Sequence, residues 1–88
     1  MNIKLALKDY LDYLEIEKGR LPKTRVNYER YLNYFFNQVK IRSVADIDLN
    51  NIKEFRLQLA RSDLKKVSQN YYIIAIRSFI KYLNKKDL

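Results

Sequence analysis

Apolar residues return along this chain at intervals of three and four, the spacing that lines one face of an α-helix. Ile3, Leu7, Tyr10, Leu11 and Leu14 predict a first helix from Ile3 to about Lys18, with Gly19 placed to end it. Tyr28, Leu32, Phe35, Phe36 and Val39 predict a second, opening at Pro22 or Lys23, because proline is tolerated in a first turn where its missing N–H costs nothing. A third is expected to follow Asp48 as N-cap, with Leu49, Ile52, Phe55, Leu59 and Ala60 as its apolar stripe. The fourth is expected to begin at Ser68, another good N-cap, and to run to Leu83 on Tyr72, Ile73, Ile76, Phe79, Ile80 and Leu83. The connections 19–22, 40–47 and 61–67 are short. "IRSVADI" (41–47) reads as a brief irregular piece with Val44 and Ile47 tucked inward. The expected fold is all-α, a compact four-helix bundle.

Composition narrows the picture. A chain of 88 residues is one small domain, and a single Gly and a single Pro argue against a fold built on tight turns and strands. With no Cys there is no disulfide, thiolate metal site or cysteine nucleophile; with no His the commonest general base is missing too. Neither a paired-carboxylate motif nor a Gly-rich phosphate cradle is present, so no metal and no cofactor is expected. The N-terminal stretch is amphipathic rather than continuously apolar, which reads as neither signal peptide nor membrane span; the expected location is cytoplasmic.

Charge is unevenly spread. Residues 1–17 hold two Lys against four carboxylates, whereas residues 18–88 hold sixteen cations against six, a net +10. Such a field attracts polyanions, nucleic acid above all, although solubility or an AT-rich genome would produce the same excess. The polar faces left over by the core stripes carry suitable chemistry. On the second helix Lys23, Asn27, Arg30 and Tyr34 follow i, i+4, i+7, i+11, with Thr24 beside them. On the fourth, Asn70, Ile74, Ser78, Lys81 and Lys85 point outward, with Tyr71 and Arg77 flanking; Arg20, Lys65 and Lys66 lead into the two helices. Cations neutralise phosphates, hydroxyls and helix N-termini hold phosphate oxygens, and Asn pairs with adenine in a major groove. Two basic first turns could together straddle one groove. The same stripe is also what any solvated amphipathic helix shows.

Three stretches carry a family resemblance. "YLDYLEIEKGRLPKTRVNYERYLNYFF" (10–36) resembles the start of the core-binding domain of tyrosine recombinases of the phage-integrase type, in which Pro-x-Thr-x-x-x-Tyr opens the second helix; here it is Pro22, Thr24 and Tyr28. "VADIDLNNIKEFRLQL" (44–59) resembles the family's third helix, and "NYYIIAIRSFIKYLNKK" (70–86) its last, with Asn70, Ile73, Ala75, Ile76, Arg77, Phe79 and Leu83 in register. The resemblance implies a SAM-like bundle that clamps one side of a recombination site in double-stranded DNA, with a C-terminal catalytic domain and other recombinase protomers as partners. It carries over Lys23, Thr24 and Asn27 as DNA contacts, then Ser68, Asn70 and Tyr71; Arg30, Arg77 and Lys81 rest on their helical faces.

Some positions depart from the family pattern. Leu21 stands where a capping Ser is frequent. Tyr71 and Tyr72 replace residues that are often basic. Arg25 occupies a usually apolar position and reaches either to water or to DNA. Residues 1–88 are read as one domain, the N-terminal part of a longer recombinase, and the basic ending "YLNKKDL" as the start of a linker. The eight tyrosines lack the surrounding His and Arg groups that would make one a nucleophile, so the chain is expected to bind DNA, not cut it. The alternatives are a helical protein-interaction module without DNA contact, and a helix-turn-helix regulator, against which no helix pair shows the short Gly-containing turn of that motif.

Overall fold

Asn2 opens the first helix by accepting a hydrogen bond at its side-chain oxygen from the Lys4 N–H, at 2.7 Å. In the computed structural model, which describes residues 1–86, four helices follow: α1 (Ile3–Ile16), α2 (Pro22–Gln38), α3 (Leu49–Ala60) and α4 (Lys66–Lys85). The four-helix expectation holds. The last two residues of the basic "YLNKKDL" ending lie outside the described residues.

The ends of the helices show where local chemistry prevails. α1 stops two residues before the expected Lys18. Gly19 then turns the chain at φ +62°, and the Arg20 N–H reaches back to the Leu14 carbonyl at 2.9 Å. α2 ends in a left-handed residue that is not glycine, Lys40 at φ 56°, and the Ile41 N–H closes on the Phe36 carbonyl at 2.8 Å. Asp48 caps α3 as expected, accepting from the Asn51 N–H at 2.8 Å. Ser68 does not cap α4. The helix begins at Lys66, because the turn before it is closed by other groups: the Ser62 hydroxyl donates to the Leu59 carbonyl, and the Gln69 amide donates to the Leu64 carbonyl.

The segment 41–47 forms a 3₁₀ turn, Val44–Asp46, capped by Ser43 and Asp46. It is tied to the N-terminus by an antiparallel bridge between Asn2 and Ser43, with the Ile3 N–H donating to the Arg42 carbonyl at 3.0 Å. Val44 and Ile47 are half-buried as expected, and Ile41 beside them is fully in the core.

All five stripe residues of α1 are buried, joined by Leu32, Phe35, Phe36, Phe55, Leu59, Ile76, Phe79 and Leu83. Full burial of each Phe or Leu contributes about 1.5–3 kcal/mol. Phe55 meets Phe35 edge-on at 5.0 Å, and Phe79 meets Tyr10 the same way at 5.2 Å. Tyr34 is exposed, as its place on the polar line of α2 implies, with its ring edge-on to Phe55 at 5.9 Å and 5.3 Å from Tyr72. Two expectations are corrected. Leu49 and Ala60 are exposed, because α3 engages the core only through its Ile52, Phe55 and Leu59 side. Ser78 turns inward to the Tyr10 hydroxyl at 2.6 Å instead of facing solvent.

Candidate nucleic-acid interface

A groove in two connected parts runs along α4, the first part walled by α2 and the second by α1 and the turn at Gly19. In the first, Thr24, Asn27 and Tyr31 of α2 face Tyr71 and Ile74 of α4, with Arg20 at one end. In the second, Arg20 stands with Lys18 beside Ser78, Lys81 and Lys85 of α4. Arg20 lines both, so the two parts form one continuous surface. Its lining holds four cations and no carboxylate.

Two of the carboxylates of α1 are engaged away from those cations. Asp12 and Glu15 on α1 are occupied by Arg25 of α2, whose guanidinium lies 2.8 Å from one and 3.0 Å from the other; Lys8 also pairs with Asp12 at 3.0 Å. Hydrogen bonds from Arg25 and then Lys8 hold the Asp12 carboxyl below its usual range. Arg25 therefore faces the carboxylates of α1, which is neither of the two directions expected for it. Among the described residues no ion pair involves Lys18, Arg20, Lys81 or Lys85.

Aromatic rings form the floor. Tyr31 and Tyr71 stack at 6.3 Å with 15° between their planes, and Tyr31 also meets Tyr72 at 4.9 Å. At the other end Tyr13 lies under two ammonium groups, Lys85 at 5.3 Å and Lys18 at 5.8 Å. These contacts hold the two ammonium groups over the ring at the groove wall.

The nine residues singled out in the sequence are distributed unevenly. Thr24, Asn27 and Tyr71 come together in the first part of the groove, and Lys81 lies in the second. Lys23 is exposed in the first turn of α2. Arg30 is exposed, with its guanidinium 5.3 Å from the Tyr31 ring. Arg77 is exposed on α4 outside the groove lining. Asn70 lines a separate groove between α3 and α4, with Arg56 and Lys66, and Ser68 is half-buried in the first turn of α4. The two basic first turns therefore do not share a groove: the opening turns of α2 face the middle of α4. Neither α2 nor α4 has a side-chain cap hydrogen bond, whereas α1, α3 and the 3₁₀ turn each have one.

Tyr31, Lys18 and Ile74 line the groove but were not among those nine. Tyr31 carried a usable signal, since it stands at i+4 from Asn27. Lys18 carried none, because only the turn at Gly19 brings it to α4. Among the described residues there is no cluster of acidic side chains able to hold a metal, and no helix long and apolar enough to cross a membrane.

Comparison with known proteins supplies the family. The model described as "Phage integrase, N-terminal SAM-like domain" matches residues 7–87. The chain is 30% identical over 77 residues to tyrosine recombinase XerC of Escherichia coli O1:K1 / APEC, covering 84% of this chain and 26% of that protein. It is 29% identical over 90 aligned positions to tyrosine recombinase XerD of Mycobacterium tuberculosis (strain CDC 1551 / Oshkosh), covering 91% of this chain and 29% of the relative. The chain thus spans between a quarter and a third of the curated relatives it matches. No solved structure matches. Four helices in this order, with the family match running over nearly their whole length, make the chain a member of the phage-integrase N-terminal SAM-like domain family.

Proposed function

We propose that this chain binds double-stranded DNA at a recombination site, as the N-terminal clamp of a site-specific tyrosine recombinase. The observation that carries the reading is the two-part groove along α4, where four cations without carboxylate partners border hydroxyl, amide and aromatic groups from α2, α1 and α4. Cations release condensed counterions on meeting phosphates, and hydroxyls fix the register of the backbone. Lys23, at the positive pole of α2, is of the wrong sign for its own helix dipole and of the right sign for a phosphate.

In this reading the chain binds and does not cut. The transesterification belongs to a catalytic domain elsewhere in the recombinase, and the other half of the DNA is held by that domain. Affinity of the chain by itself is then modest, since the second half of the clamp supplies avidity.

A salt titration of binding to labelled duplex DNA tests the reading. With four to six phosphate contacts, log affinity falls against log salt with a slope of about −4 to −5. Arg20→Ala and Lys81→Ala each make that slope shallower by about one. Binding that is undetectable at low salt, or indifferent to salt, with helix content intact, would replace this reading with the protein-interaction module.

A further inference from the structure

Three exposed apolar side chains, Val67, Tyr71 and Ile74, stand at i, i+4 and i+7 on α4, with 57%, 49% and 45% of their surface open. This line runs into the α2–α4 part of the groove, whose one cation is Arg20, and across from Ile74 the α2 wall offers one carboxamide, Asn27. A groove that contacted only phosphates would have no use for a half-open isoleucine at its centre. Phosphates and sugars present no methyl group there, whereas a duplex major groove presents one, the C5-methyl of thymine.

The polar partner agrees with that occupant. Asn27 faces Tyr71 and Ile74 from α2, and a carboxamide makes its paired hydrogen bonds with adenine N6 and N7. Tyr71 is fixed for this by its stack on Tyr31.

The geometry points to an A·T-reading centre in the α2–α4 groove: Asn27 pairs with an adenine edge, while Ile74 and Tyr71 pack on thymine methyl groups. This rests on the duplex-DNA reading and adds to it the base composition that the groove selects. Thr24, Arg20 and Lys81 hold the backbone in this arrangement and carry no base preference.

The test compares the 88-residue chain on three duplexes of equal length, built of A·T pairs, of the same sequence with uracil for every thymine, and of G·C pairs. The A·T duplex is expected to bind roughly tenfold or more tighter than G·C, as one paired amide contact provides. The A·U duplex is expected to lose about fourfold per contacted methyl group. Ile74→Ala brings A·T binding down toward the A·U level and becomes less sensitive to the methyl group; Asn27→Ala reduces the preference over G·C. Equal affinity of the native chain for A·T and A·U, with the steep salt slope retained, overturns the A·T centre and leaves the DNA reading standing. Absence of salt-dependent binding to all three duplexes removes both.

Discussion

The hydroxyls of Tyr10 and Ser78 lie 2.6 Å apart, joining the middle of α1 to α4. Tyr10 is fully buried, packed edge-on against Phe79, and its hydroxyl is the polar tip of an otherwise apolar contact. The bond also explains why an outward position on the α4 wheel is occupied by a residue that faces inward.

The two ends of that bond are unequal. Tyr10→Phe removes one hydrogen bond and leaves a half-buried serine hydroxyl behind, for a loss of about 1 kcal/mol. That corresponds to a melting temperature lower by about 4–8 °C in a domain of this size. Ser78→Ala leaves the buried phenol without a partner and costs about 1–3 kcal/mol. Thermal melts of the two variants should rank Ser78→Ala as the more damaging; a Ser78→Ala melt equal to the native one would show the bond contributes nothing.

Burial pushes the Tyr10 phenol up to about 12, outweighing the bond to Ser78. Its folded value lies above the unfolded value of about 10, so the folded state holds the proton more tightly. Its contribution is whole below about pH 10 and declines as pH rises from about 10 to 12. Absorbance titration of the phenols should include a late step near pH 12 that disappears in Tyr10→Phe.

Acid acts through the other side of α1. The depressed Asp12 value means that the folded state disfavours its protonation, so the pairing with Arg25 and Lys8 stabilises fully above the ordinary carboxylate range and is lost as pH falls through the depressed value. Urea midpoints followed from about pH 6 to 2 should decline in the native chain. In Arg25→Leu the decline should be shallower, and an unchanged pH profile would remove Arg25 from the account.

The two left-handed residues give opposite predictions. Gly19 has open space where a Cβ would stand, so Gly19→Ala meets backbone strain alone and costs about 1–2 kcal/mol. Lys40 already bears that strain at φ 56°, and Lys40→Gly should raise stability by up to about 1 kcal/mol, the relief being offset in part by the greater freedom of glycine when unfolded. Denaturant midpoints moving in the same direction for both would contradict the backbone argument.

Much of this architecture was legible before folding was considered. The apolar stripes located all four helices and most of the core, and Asp48 announced the start of α3. Errors cluster where a partner distant in sequence intervenes. Ser68 has the chemistry of a cap, but Ser62 and Gln69 close the turn ahead of it. Ser78 sits on the polar line of its helix and is drawn inward by Tyr10. Asn70 shares a helix with Tyr71 but opens on the α3 side.

By itself the sequence determined that the chain folds as amphipathic helices, that its cations exceed its carboxylates after residue 17, and that neither thiol nor imidazole chemistry is available. Helical periodicity assigns each side chain an angle about its own axis, and burial of the apolar stripe follows from that angle. It does not say which polar edge of one helix meets which edge of another. Tertiary structure decided that Thr24 and Asn27 face Tyr71 and Ile74, that the Gly19 turn carries Lys18 and Arg20 to the side of Lys81, and that Arg25 takes the carboxylates of α1. The physical reason is that crossing angles and loop paths depend on how buried rings from distant segments fit together, and the groove is the space which that fit leaves along α4 beside α2 and α1.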